Sequence, residues 1–224
     1  MTTRKQLRTG PRRLGIDADG VASLATQVAS PNRNERPPGT VISLIVVHGI
    51  SLPPGKFGGD GVARLFTNTL DPQSDPYYPG IAHLRVSSHF FIRRAGTLVQ
   101  FVPCGLRAWH AGVSSWRGRA SCNDYSIGIE LEGTDDLAYS AAQYRMLARV
   151  ARALRGRYPI RDMVGHSDIA PGRKTDPGAA FDWQRMGTLL GVPATDGAAG
   201  IVPNRGQAKR TGDRPVTDHR VHRL

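Results

Sequence analysis

Val41-Ile42-Ser43-Leu44-Ile45-Val46-Val47, followed at once by His48-Gly49, is the run that decides the fold. It is almost entirely apolar and mostly β-branched. A strand with one wet face alternates apolar and polar residues, whereas a strand covered on both faces does not. The run therefore reads as a central strand with layers on both sides. It delivers His48 at its carboxyl end.

Downstream, Ser87–Arg94 and Thr97–Val102 read as two strands joined by the tight connection Ala95-Gly96. Ser126–Glu132 is a further strand and does alternate. Ile127, Ile129 and Leu131 point one way; Ser126, Gly128, Glu130 and Glu132 point the other. Between these, Asp60 caps a short helix with Val62, Leu65, Phe66 and Thr69 on one face. Ser140-Ala141-Ala142-Gln143 has the form of a capping box, with Leu147, Val150, Ala151 and Leu154 at helical spacing behind it and Gly156 and Pro159 at its end. Val164-Gly165-His166 leads into a loop reaching Gly178, and Phe181–Leu190 is the last helix. Strands and helices interleaved in this way predict an α/β domain with a single mixed β-sheet flanked by helices.

Upstream of about Thr40 there is no sustained periodicity, and Ser30-Pro31-Asn32 and Arg36-Pro37-Pro38-Gly39 read as turns. Beyond Gly191 the chain is Gly-, Ala-, Pro- and Lys/Arg-rich. The expected organisation is a basic flexible extension over 1–29, one folded domain over 30–190 and a basic mobile tail over 191–224. A length of 224 residues suits one such domain.

The net charge is +12. Residues 1–40 hold seven Lys/Arg against three acids and 205–224 hold six against two, so the ends supply most of it. Basic arms attract anions without specificity. Neither arm contains Phe, Trp or Tyr, and no nucleic-acid motif is present, so no specific nucleic-acid partner is expected. No apolar run nears the roughly 20 residues of a membrane span. The first 30 residues lack the apolar stretch of a secretory signal and begin with Met1, which predicts a cytoplasmic protein. Cys104 and Cys122 read as two reduced thiols, neither with a partner at zinc-finger spacing.

Of seven histidines, His48 and His166 stand out by context: one leaves a buried strand, the other opens a polar loop holding Asp168, Lys174 and Asp176. Two His and one Asp leave a fourth position of a tetrahedral zinc open for water. In an extended segment Lys174 and Asp176 face the same way, which suits a cation placed near a developing oxyanion. Glu130 and Glu132 share a strand face, and either carboxylate offers a base. His89, inside a strand, reads as structural. His83 and Asp168 read as supporting or surface residues, and His219 and His222 as solvated.

Five segments in order carry a resemblance: Val46-Val47-His48; Ser88-His89-Phe90-Phe91-Ile92; Ala108-Trp109-His110-Ala111-Gly112; Ser126 to Gly133; and Gly165-His166-Ser167-Asp168-Ile169-Ala170-Pro171-Gly172-Arg173-Lys174-Thr175-Asp176-Pro177-Gly178. Together they resemble the type 2 N-acetylmuramoyl-L-alanine amidases. Ile50 to Gly55, Phe57-Gly58-Gly59 and Cys122-Asn123-Asp124 point to the AmpD-like branch, which cleaves 1,6-anhydro-N-acetylmuramyl peptides in wall recycling. The resemblance covers roughly residues 30–190 and implies a fold like that of the peptidoglycan recognition proteins. It implies one Zn2+ per chain on His48, His166 and Asp176, Glu130 as acid/base and Lys174 as oxyanion stabiliser. Arg85, Trp109 and His110 are candidates for binding the muropeptide, and a monomer is expected. Gly49, Ser121 and Ser167 depart from the branch pattern, where Asn, Arg and Cys are usual. Two rivals keep the fold: a secreted or phage-type amidase on intact peptidoglycan, and a non-catalytic peptidoglycan-binding module. The second would be marked by a lost metal ligand, and here all three positions and Glu130 are filled.

Overall fold

A computed structural model describes residues 13–192. Its strands are β1 (Thr26–Gln27), β2 (Arg33–Asn34), β3 (Leu44–Ile50), β4 (Phe90–Ile92), β5 (Leu98–Gln100), β6 (Arg107–Ala108), β7 (Ser115–Trp116), β8 (Arg119–Ala120), β9 (Ser126–Glu132) and β10 (Asp162–Gly165). The helices are α1 (Gly61–Phe66), α2 (Cys122–Tyr125), α3 (Ala141–Arg157), α4 (His166–Ile169) and α5 (Trp183–Leu190). Six strands form one sheet in the order β1-β5-β4-β9-β3-β10, with β4 and β5 antiparallel and the other pairs parallel. The two small pairs, β2 with β6 and β7 with β8, lie outside it. A mixed sheet with flanking helices is the architecture expected.

The second half of the quoted run, Leu44–Val47, is the centre of this sheet. Leu44, Ile45, Val46 and Val47 are all buried. Ile45 and Val47 join Ile127, Ile129 and Leu131 in a core against Leu147, Val150, Ala151 and Leu154 of α3 and Met186 of α5. Leu44 and Val46 face the other way, onto Ala111, Cys122, Tyr125 and Ile169. A third cluster packs Leu65 and Phe66 of α1 on Phe91, Val99 and Phe101. Glu130, paired in register with His48 on one side and Phe91 on the other, lies on that second side.

Four details differ from the sequence reading. The strands read over Ser87–Arg94 and Thr97–Val102 are the shorter β4 and β5. The central strand runs Leu44–Ile50 rather than Val41–Val47: pairing begins only at Leu44 and leaves Val41 exposed, while Gly49 and Ile50 go on pairing with Leu131 and Glu132 of β9. Asp60 does not cap α1; its carboxylate instead bonds Arg64 one turn on, at 2.7 Å. Residues 13–29, placed by the sequence in a flexible extension, pack as part of the fold: Leu14 and Ala22 are in the core and β1 pairs with β5. A two-residue strand and isolated apolar side chains are too short to raise a periodic signal. The α3 capping box forms as read, with Ser140 Oγ accepting from Gln143 N.

Candidate active site

The site lies at the carboxyl ends of the parallel strands. β3 supplies His48, and β9 places Glu130 directly beside it in register. β10 ends at Gly165, and His166 begins α4, where the Asp168 carboxylate accepts from Gly165 N at 2.8 Å and holds the turn. The chain then loops back, Ser167 N donating to Asp176 O at 2.9 Å, so that Asp176 returns beside His166. Tyr139 locks this loop from outside by donating to Pro177 O at 2.9 Å.

His48 Nδ1, His166 Nδ1 and Asp176 Oδ2 form a triangle with sides of 3.0, 3.1 and 3.1 Å. His48 and His166 are buried and Asp176 nearly so. His166 Nε2 faces the carbonyl of Ala111 at 3.2 Å. A carbonyl only accepts, so Nε2 carries the ring proton and Nδ1 presents a lone pair. That lone pair meets a carboxylate, which is also an acceptor, so the cluster brings together groups that repel without a positive charge between them. Ligands about 2.0–2.1 Å from a tetrahedral zinc stand roughly 3.3 Å apart, and the observed triangle is within a few tenths of that. The residues fit a zinc ion.

Burial, then the neighbouring His166, pushes His48 down to about 4, so its imidazole is neutral and able to act as a ligand at ordinary pH. Glu130 is shifted the other way. Burial, followed by the charge of Asp176, raises its carboxyl well above the ordinary value, with Lys174 pulling against them. Glu130 Oε2 is buried and has no hydrogen-bond partner among the described residues. Its strand neighbour Glu132 is the opposite case: Oε1 accepts from Gly58 N at 2.6 Å and Oε2 from Arg94 N at 2.9 Å. The two carboxylates the sequence left as rivals therefore separate, one tying down loops and one aimed into the site with an acceptor unused.

The remaining candidates are placed as follows. Lys174 is exposed and close enough to act on the charge of both Glu130 and His48. Arg85 is exposed and folds onto the carbonyls of Ala82, His83 and Leu84 in its own loop. Trp109 donates from Nε1 to Asn34 Oδ1 at 2.6 Å. Neither Arg85 nor Trp109 bonds the ligand cluster. His110 does enter the site, but its ring nitrogens face His48 at 2.9 Å and Ser126 at 3.1 Å, so it offers no spare polar atom to a substrate. His89 is buried and structural, its Nδ1 accepting from Gly128 N at 3.0 Å. His219 and His222 lie outside the described residues.

Tyr139 was missed by the sequence reading. Its ring occupies the space beside Gly49, where an added Cβ would lie 2.4 Å from the hydroxyl. The departure at Gly49 and the Tyr139 lock are one feature: a larger residue at 49 would displace the group holding the Asp176 loop. No local pattern joins positions 49, 139 and 177.

The N-acetylmuramoyl-L-alanine amidase family profile matches residues 38–179. The chain is 58% identical over 174 residues to 1,6-anhydro-N-acetylmuramyl-L-alanine amidase AmpD of Citrobacter freundii, covering 77% of this chain and 93% of the relative. A crystal structure of an AmpD selenomethionine derivative superposes with a TM-score of 0.76 at 59% identity, over 77% of this chain and 97% of that one. A complex of the amidase AmiD from E. coli with anhydro-N-acetylmuramic acid-L-Ala-D-gamma-Glu-L-Lys superposes with a TM-score of 0.51 at 30% identity, over 72% and 62%.

Proposed function

The chain belongs to the N-acetylmuramoyl-L-alanine amidase family, and from that premise we propose that it is a zinc-dependent, cytoplasmic enzyme of cell-wall recycling. The bond it hydrolyses is the amide between 1,6-anhydro-N-acetylmuramic acid and the L-alanine of the stem peptide. High identity to AmpD over nearly the whole of that relative supports the substrate. The zinc reading rests on the acceptor triangle of His48, His166 and Asp176.

Zinc held there would polarise the scissile carbonyl and lower the pKa of a bound water from 15.7 toward about 7. The chain's own groups then divide the work. Glu130, with its unpartnered oxygen and raised carboxyl pKa, takes a proton as the water oxygen bonds to the carbonyl carbon. The Lys174 ammonium stabilises the negative charge that develops on the carbonyl oxygen. As the carbon–nitrogen bond breaks, Glu130 returns the proton to the alanine nitrogen, leaving a free amine and a carboxylic acid. Tyr139 and Asp168 keep the loops that carry Asp176 and His166 in place.

The test is chromatographic analysis of anhydro-muropeptide cleavage by protein stripped with chelator and then given zinc back. Cleavage that vanishes on stripping and returns with zinc is the expected result. Undiminished cleavage by metal-free protein would overturn the zinc reading, and faster release from intact sacculi than from anhydro-muropeptide would move the substrate to the wall itself.

A further inference from the structure

Among the described residues, no carbonyl or carboxylate meets Nε2 of His48, a zinc ligand in the reading above. That nitrogen faces another imidazole, Nδ1 of His110, at 2.9 Å. We propose that His110, seated on Gly128 and held by Ser126, is a positioning residue that sets the tautomer of His48 and so aims its Nδ1 lone pair into the metal site. The inference rests on the zinc reading above.

The direction of every proton in the chain follows from one atom. Ser126 Oγ lies 2.6 Å from the carbonyl of Cys122, which can only accept, so the single hydroxyl proton goes there. The same Oγ, 3.1 Å from His110 Nε2, is left to accept, so Nε2 carries the His110 proton. A neutral imidazole has one N–H, and His110 Nδ1 is therefore bare. It then accepts from His48 Nε2–H, and His48 Nδ1 is bare in turn, facing His166 and Asp176.

The chain has built room for this ring. A Cβ at Gly128 would lie 2.4 Å from His110 Cγ, so the site-facing position between Ser126 and Glu130 must be glycine. Asn123 fixes the backbone from the other side, its Oδ1 accepting from His110 N at 3.1 Å and Ala111 N at 2.8 Å. His166 obtains the same tautomer from the Ala111 carbonyl in that segment. One short stretch, His110-Ala111, thus orients both histidines, once by a side chain and once by a backbone oxygen.

Partners that orient a metal-bound histidine are typically worth 10–100-fold in metal affinity. The experiment measures zinc dissociation constants by chelator competition for His110→Leu, His110→Asn and Ser126→Ala, together with nitrogen-resolved NMR of the histidines in zinc-free protein. His110→Leu should weaken zinc by about 10–100-fold. His110→Asn keeps an oxygen near the place of Nδ1 and should restore most of that loss, while Ser126→Ala weakens zinc less than His110→Leu. Zinc-free protein should carry its His48 proton on Nε2. Equal losses in the Leu and Asn variants, an unchanged constant in His110→Leu, or a His48 proton on Nδ1 would each overturn the proposal. If His110→Leu does not fold, Ser126→Ala and the NMR assignment decide it. Unmodified protein that binds no zinc sinks the proposed function instead, and the tautomer measurement still judges the relay.

Discussion

Strand β9 shows both faces of the sheet in seven residues. Toward α3 it sends Ile127, Ile129 and Leu131, all fully buried among other apolar side chains. Toward the site it sends Ser126, Gly128, Glu130 and Glu132, where Ser126 faces His110, Gly128 yields space to it, and Glu132 accepts from two backbone amides. On the first face a residue is judged by volume, and exchanges that conserve it cost little. On the second it is judged by which atoms donate and which accept. Glu130 breaks the pattern of its own face, since it is buried with an oxygen unpaired. A buried polar atom without a partner costs stability, so in the mechanism proposed above this is where the fold gives up stability to chemistry.

The comparison breaks first if Glu130 behaves like its neighbour. Glu130→Gln keeps shape and removes the base, so turnover should fall by about 10²–10⁴ while the melting temperature of zinc-free protein does not fall; steady-state kinetics and thermal melts read both. A joint loss would mean the carboxylate is structural. Lys174→Ala should cost about 10²–10³ in turnover with zinc retained, as metal analysis of the purified variant would show, and near-normal turnover would remove Lys174 from the mechanism. On the opposite face, Leu147→Ala should cost about 2–5 kcal/mol of stability in denaturant unfolding and leave the zinc constant of the folded protein unchanged. Glu132→Gln puts an amide N–H2 against a backbone N–H and should cost about 1–3 kcal/mol with turnover little altered, which sharpens the contrast with Glu130. Smallest is Ser140→Ala, which removes the cap of α3 for about 1 kcal/mol and is read in the same unfolding assay.

The strand order of the sheet is not written in any local pattern, but its parts are. Continuous burial of Leu44–Val47 was legible because an unbroken apolar run marks a strand covered on both faces. The alternation of β9 sorted its side chains onto two faces but did not tell their burial, since all seven of its residues are buried against the loops and helices on both sides. The α3 cap was legible because it is made by residues three apart. Residues 13–29 were not, because Leu14 and Ala22 gain their burial from contacts far along the chain, such as the pairing of β1 with β5. The capping role read for Asp60 gave way to an ion pair with Arg64, which the spacing also permits.

By itself the sequence determined the residue types on each face: that His48 would sit in a buried strand, that Glu130 and Glu132 would share a side, and that the Gly165–Gly178 loop held a histidine and an aspartate able to bind metal. Alternation assigns a face but names no partner. Only the tertiary structure decided that Glu132 is taken by Gly58 and Arg94 while Glu130 is not, that Gly49 makes way for Tyr139, and that His110 stands behind His48 rather than open to solvent. Those outcomes depend on distances of a few ångströms between segments tens of residues apart, and the direction of a hydrogen bond is set by the atom it meets, not by the residues beside it in the chain.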